Sequence, residues 1–246
     1  MVPFRVLGGA TYGGINVHPS LLPDLRGAAP IQRAILGGRQ FTGVSIQIMH
    51  HSKFDHGEII LQTPAPGFQI GNDMTTEDLS NELATQGAAL LRDCVERGLF
   101  INPQFLRSHV DIRNERALDH AKKITPEDGH INWVKWPAHR IQCAARALGR
   151  LWDDTTVKQC NDKAEATRVT YDGKWKVVKP SDIEALRSDR PLVAGDPVRI
   201  VSSGTDQPEI AFATLDNHFV KPESITIAGQ GKGKGAAHLL RLLNYK

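Results

Sequence analysis

Residues 15–32 read INVHPSLLPDLRGAAPIQ, an extended tetrapeptide that runs through three prolines and a Gly-Ala-Ala turn toward a helix start. Pro30 suits the first helical position, because its missing N–H would have no partner there. IQRAIL then supplies about two turns before Gly37-Gly38 ends them. Upstream, alternate residues of an extended segment face the same way, so Asn16 and His18 project together from a strand end. In α/β sheets, ligands bind beyond such ends. An amide can donate to a carbonyl oxygen as it gains negative charge, and an imidazole exchanges a proton near neutral pH. The pair suits acyl-group transfer once a carboxylate orients the ring or relays a proton. The local pattern also admits a plainer reading, in which Asn16 caps a turn and His18 packs locally.

Working outward, TGVSIQIM at residues 42–49 alternates Val44, Ile46 and Ile48 against Ser45, Gln47 and Met49, which predicts a strand. Residues 59–62 offer a second, shorter strand. Between them lies HHSKFDHGE, polar and glycine-containing, a loop at the strand ends. Asp55 on this loop is the candidate carboxylate, although an Asp-His-Gly sequence also makes an ordinary turn. Residues 75–97 form the strongest predicted helix, with a T-x-x-D start, a stop at Gly98, and Leu79, Leu83, Leu90, Leu91 and Val95 near helical spacing, the leucines in the core.

Composition bounds the alternatives. A chain of 246 residues, 40% apolar and 23% charged, is globular and has room for one large domain or two modest ones. The net charge of +3 arises entirely in the second half: residues 1–125 carry 12 basic and 12 acidic side chains, residues 126–246 carry 18 and 15. Cys94, Cys143 and Cys160 are too dispersed for a disulfide framework or a metal-binding C-x-x-C, which points to a reducing compartment. No apolar run reaches the ~20 residues that span a bilayer, and Met1-Val-Pro-Phe-Arg lacks the apolar core of a secretory signal.

After the helix, periodicity fades, and a linker is assigned to residues 102–125. The remainder, residues 126–246, holds a short helix, AHRIQCAARAL, after Pro137, followed by β-like pieces: ATRVTY, KWKVV, PVRIV, EIAFAT and SITIA. Turn signals separate them at Asp172-Gly173, Gly195-Asp196, Ser203-Gly204 and Asp216-Asn217, the pattern of a small barrel or sandwich. Residues 1–101 form the first domain of this α/β chain but hold too few βα units for a complete sheet, so the chain is expected to begin inside a domain.

INVHPSLLP followed by RGAAPIQ, TGVSIQIM and FDHGEIILQ resembles the core of the formyltransferases that use 10-formyltetrahydrofolate, with 39 residues from Asn16 to Asp55. RGAAPIQ, together with KKITPEDGHINW at residues 122–133, is similar to the methionyl-tRNA formyltransferase family. The resemblance implies an incomplete Rossmann-like catalytic domain followed by a mainly β, OB-like C-terminal barrel that binds tRNA. It implies transfer of a formyl group from 10-formyltetrahydrofolate, a cosubstrate, to the amino group of methionyl initiator tRNA. Asn16 would bond the formyl oxygen, His18 would stabilise the oxyanion, and Asp55 would assist removal of the amine proton. Ser20, Leu21, Leu22 and Pro23 would line the folate site. Arg26, Lys232 and Lys234 would contact tRNA.

No metal is expected, and His50, His51 and His56 read as loop residues. GQGKGKG near the C-terminus lacks the Lys-Ser/Thr that closes a P-loop, so it reads either as a basic tRNA-contacting loop or as a solvated turn. A monomer is expected, with no membrane partner, in mitochondria or, for a bacterial-type member, the cytoplasm. With its front half incomplete, the chain is expected to turn over little by itself. A formyltransferase acting on a small amine and a noncatalytic RNA-binding remnant are the competing readings.

Overall fold

The computed structural model describes residues 2–101, 103, 118–161, 164–185, 191–201 and 209–243. Contacts divide the chain into two units, Met1–Ile124 and Thr125–Lys246. No helix among the described residues is long and apolar enough to cross a membrane.

The first unit contains α1 (Phe4–Leu7), β1 (Ile15–His18), β2 (Arg26–Gly27), α2 (Pro30–Leu36), β3 (Phe41–Thr42), β4 (Ser45–Ile48), β5 (Ile59–Gln62), β6 (Phe68–Gln69), α3 (Thr76–Glu96) and β7 (His120–Ala121). Its principal sheet runs β1-β4-β5 and is antiparallel at both junctions. No parallel pairing, as in a Rossmann half, occurs within it among the described residues, and β1 there has β4 as its single neighbour. The period-2 pattern of β4 predicts one apolar and one polar face, and both are buried. Ile46 packs with Ile60 and Cys94 against Ile15, Ile48, Leu90 and Leu91. Ser45 and Gln47 turn to the opposite face, where register sets Asn16 beside Gln47, His18 beside Ser45, and Gln62 beside Ser45. The polar half of the alternation is therefore an inward-facing surface.

α2 starts at Pro30 and is capped by Gly37. α3 starts from a complete capping box, Thr75 bonding the Asp78 amide and Asp78 bonding the Thr75 amide. Leu79, Leu83 and Cys94 are buried along it, whereas Val95, near the same helical spacing, is 52% exposed. One residue is about 100° around a helix, so the inward position taken by Cys94 turns Val95 outward. Within the span assigned to the linker, residues 102 and 104–117 lie outside the described residues. The following stretch braces the first unit: β7 pairs with β2 in parallel, and the Arg33 guanidinium donates to the carbonyls of Lys122 and Lys123 at 3.0 and 3.1 Å.

The second unit contains α4 (Ala138–Leu148), β8 (Arg150–Asp153), α5 (Thr156–Cys160), β9 (Val169–Val178), β10 (Ile183–Ala185), β11 (Pro197–Ile200), β12 (Ile210–Ala213), β13 (Phe219–Ile227) and α6 (Gly235–Leu242). Its strands form one antiparallel sheet in the order β10-β11-β12-β13-β9-β8. β8 and β10 were not anticipated from the sequence, and Ser203-Gly204 lies outside the described residues. The Asp172-Gly173 signal, expected to separate two strands, lies inside β9. The register against β13 slips between Pro222 and Ser224, where Gly173 and Lys174 of β9 stand opposite the single Glu223 as a bulge. Gly173, at φ +83°, takes the left-handed conformation that an Asp-Gly pair also favours in a turn. A bulge and a turn share this local chemistry, and the long pairing partner β13 decides between them.

The core of this unit is aromatic. Trp133 and Phe212 stack at 5.3 Å, and Tyr171 lies 5.2 Å from Trp175 and 5.4 Å from Phe212. Asp153, fully buried, accepts from the Trp133 indole at 3.2 Å, the Tyr171 hydroxyl at 2.6 Å, and both the amides and the hydroxyls of Thr155 and Thr156.

Candidate active site

Three peptide segments meet at Asp55. β1 carries Asn16 and His18 on one face, the turn after it carries Leu25 to Gly27, and the loop between β4 and β5 carries Asp55. Asn16 Nδ2 approaches Asp55 Oδ1 at 3.5 Å, and His18 Nδ1 lies 3.4 Å from the same oxygen. The Gly27 amide donates to Oδ2 at 3.0 Å, and Gln47 Nε2 donates to Oδ1 at 3.2 Å. Arg26 Nε donates to the Asp55 carbonyl at 2.9 Å. The sequence-predicted Asn16, His18 and Asp55 are thus in one cluster, although Asn16 and Asp55 are 39 residues apart.

The loop is built to hold this pose. Asp55 has φ +53°, a left-handed conformation that Asp tolerates better than most residues. Two residues on, a side chain at Gly57 would collide with the Ile48 carbonyl of β4, so the glycine of Asp55-His56-Gly57 is required by close backbone approach. His50 Nδ1 accepts the amides of Ser52 and Lys53, both at 3.1 Å, which closes the first turn of the loop.

His18 is 4% exposed and both ring nitrogens are engaged. Nε2 lies 3.0 Å from the Leu25 carbonyl, which can only accept, so Nε2 carries a proton. A second proton on Nδ1 lets the ring donate to Asp55 as well, giving a charge-assisted pair. Burial pulls the Asp55 carboxyl upward, but the His18 hydrogen bond and charge, the Gly27 amide and the Gln47 amide outweigh it and hold the group below its usual range. The carboxylate form is therefore the one the site stabilises.

Asn16, Gln47 and Asp55 open onto a cleft of about 210 Å³, whose far wall includes Met49, His50, Lys53 and the 63% exposed Phe54. Of the residues expected at the folate site, Ser20, Leu22 and Pro23 are buried and Leu21 is half-buried. Ser20 Oγ bonds the Asp24 carbonyl at 2.7 Å, and Ser45 Oγ joins the Ser20 carbonyl to the Leu22 amide at 2.7 and 3.0 Å. Gln62 closes that brace by donating to the Leu22 carbonyl and Ser45 Oγ. Lys232 and Lys234 stand exposed in the turn between β13 and α6, in the second unit. Among the described residues, no group of three or more His, Cys, Asp or Glu side chains could hold a metal ion.

Sequence reasoning did not single out Gln47, Leu25, Gly27 or the Ser45–Gln62 brace. The signal for Gln47 was the polar half of the β4 alternation, which reads as a solvent face until another segment covers it.

An amide, an imidazole and a carboxylate converge at a strand end beside a cleft, the set of groups that acyl-group transfer asks for. The chain matches the model of the formyl transferase family over residues 1–95. It is 37% identical over 150 residues to the mitochondrial methionyl-tRNA formyltransferase of Saccharomyces cerevisiae, covering 56% of this chain and 37% of that protein. It is 33% identical over 183 residues to the methionyl-tRNA formyltransferase of Marinobacter nauticus, covering 68% of this chain and 55% of that one. Against these and one further relative the chain spans 37%, 55% and 65% of their lengths. An N-formyltransferase of Helicobacter canadensis, solved with folinic acid and dTDP-3-aminofucose, shares the fold at a TM-score of 0.53 and 16% identity, over 85% of this chain and 65% of that one.

Proposed function

We propose that this protein transfers a formyl group from 10-formyltetrahydrofolate to the α-amino group of methionyl initiator tRNA. The observation that carries the reading is the Asn16–His18–Asp55 cluster on the wall of an open cleft. The relatives named as methionyl-tRNA formyltransferases support the acceptor.

In this reading Asn16 donates its amide to the formyl oxygen as negative charge develops there. Asp55 accepts the proton of the attacking amine. The new bond joins the amine nitrogen to the formyl carbon, the bond from that carbon to folate N10 breaks, and the proton passes from Asp55 to N10. His18, buried and engaged at both ring nitrogens, orients Asp55 and contacts the oxyanion only by releasing the Leu25 carbonyl or the carboxylate. Leu21 is the member of Ser20–Pro23 with surface to offer the folate, and the other three hold the turn. Arg26, through the part of its guanidinium not given to the Asp55 carbonyl, and the exposed Lys232 and Lys234 face the tRNA backbone.

Turnover is expected to be slow, because β1 has one strand neighbour among the described residues. The test is a formyl-transfer assay of the purified chain with three acceptors offered separately: initiator methionyl-tRNA, methionine and an amino sugar nucleotide. Formylation confined to the tRNA supports the proposal. Formylation of a small amine instead, or tRNA binding with no formylation of any acceptor, overturns it. Lys232→Ala with Lys234→Ala is expected to weaken tRNA binding and lower its logarithmic salt slope by about 2; an unchanged slope removes these lysines from the interface. A mitochondrial location is supported by the yeast relative, and cell fractionation checks it.

A further inference from the structure

Gln47 is 2% exposed, and its two amide ends have opposite fates. Nε2 donates to Asp55 Oδ1 at 3.2 Å, while Oε1 is buried with no hydrogen-bond partner among the described residues. Rotating the amide would not relieve this, because it would set an oxygen against the carboxylate. A buried unpaired carbonyl is destabilising, and an apolar side chain of similar length would avoid it. The ladder also departs from regularity here: between Ile46 and Gln47 the partner strand β5 carries one extra residue, Ile60, a bulge of the kind found next to functional centres. The register against β1 sets Gln47 beside Asn16, and both border the same cleft as Asp55.

We propose that Gln47 is a positioning residue of the transfer site, whose N–H fixes the Asp55 carboxylate for the incoming amine at the expense of a buried unpaired oxygen. This deepens the formyl-transfer reading and rests on it for its catalytic consequence. Among the described residues four groups surround the carboxylate: His18 and Asn16 share Oδ1 with Gln47, and Gly27 holds Oδ2. Gln47 and the backbone N–H of Gly27 make the two shortest of these contacts, 3.2 Å to Oδ1 and 3.0 Å to Oδ2, so together they set the plane of the carboxylate. Losing one lets the plane turn.

Two substitutions of nearly unchanged shape separate positioning from packing. Gln47→Met removes the donor and the orphaned acceptor together. Gln47→Glu keeps the shape and sets a second negative charge beside Asp55, which opposes its ionisation. The activity-independent readout is the titration of the Asp55 carboxyl carbon by NMR. Asp55 is expected to bind its proton at least about threefold more tightly in Gln47→Met than in the parent, and more tightly again in Gln47→Glu. The urea midpoint of Gln47→Met is expected to be no lower than that of the parent. In a transfer assay, kcat of Gln47→Met is expected to fall about tenfold with KM for the amine little changed, and the acid limb of the pH–rate profile to move upward.

Unchanged Asp55 titration in Gln47→Met would overturn the proposal, and a lowered urea midpoint beside it would assign Gln47 to packing alone. If the titration moves but the parent formylates no acceptor, positioning stands and the formyl-transfer reading falls. If the parent formylates tRNA and Gln47→Met matches it in both kcat and titration, the reverse holds.

Discussion

Asp55 and Asp153 both sit at the centre of a ring of hydrogen-bond donors, one in each unit, and the two rings are built differently. Asp153 is fully buried and surrounded by an indole, a phenol and the hydroxyls and amides of two threonines. Asp55 keeps 13% of its side chain exposed, borders a cleft, and draws its donors from a histidine that can carry charge, two amide side chains and one backbone N–H. A carboxylate that ties α5 to β8 and β9 works best sealed from water, since each competing water weakens the network. One that exchanges a proton with a substrate must be reachable. The neighbourhood of Asp55 also tolerates a left-handed backbone and an orphaned Gln47 oxygen, features that local stability alone would not select.

The sharpest way to break this contrast is to neutralise each carboxylate. Asp55→Asn is expected to lower formyl transfer by about 10²–10⁴-fold while the urea midpoint falls less than it does for Asp153→Ala. A rate within a few-fold of the parent would strip Asp55 of its proton-transfer role. Asp153→Ala should act in the opposite sense, destabilising the second unit by about 3–4 kcal/mol because several buried donors lose their acceptor at once. All four tryptophans, Trp133, Trp136, Trp152 and Trp175, lie in that unit, so tryptophan fluorescence in urea reads its unfolding selectively. A midpoint close to the parent's would show that the ring around Asp153 is dispensable.

A milder cut sharpens the same comparison. Tyr171→Phe removes one donor from Asp153 and is expected to reduce stability by about 1.5–3 kcal/mol, the range for a hydrogen bond to a charged group. Fluorescence-monitored denaturation checks it, and a loss equal to that of Asp153→Ala would mean the network fails as a whole.

The smallest effects are in pH dependence, and the two units are expected to fail at opposite ends. Asp55 is held below its usual range in the native state, so its contribution is present above the unfolded value near 3.9 and is lost as pH falls through the native value. Tyr171 is pushed well above the ordinary tyrosine value by burial, then by the charge and hydrogen bond of Asp153. Its contribution is full below about pH 10 and is lost as pH rises above that, when the unfolded phenol ionises and the native one resists. Denaturation followed at pH 3 and at pH 11 by NMR of the Gly27 amide and by tryptophan fluorescence tests the assignment of each loss to its unit.

Much of the candidate site was legible in the sequence because its parts obey short-range rules. Alternation put Asn16 and His18 on one side of β1, Pro30 opened α2, and Thr75 with Asp78 opened α3. The glycine two positions after Asp55 announced a tight loop, and the structure supplies its reason in the Ile48 carbonyl. The Asp172-Gly173 signal was read as a turn and is a bulge, because left-handed glycine serves either and the choice lies with β13.

The sequence by itself determined which residues could do the chemistry: the types and spacing of Asn16, His18 and Asp55, and the composite pattern from Ile15 to Gln62 that marks the family. The tertiary structure alone decided what those residues do to one another. Cross-strand register brought Gln47 beside Asn16, the turn after β1 aimed the Leu25 carbonyl at His18, and packing buried the polar face of β4 as well as the apolar one. The physical reason is range. Dihedral preferences and periodicity act over a few residues, whereas the donors that set the charge and plane of a carboxylate come from segments distant in sequence and are selected only when the sheet closes over them.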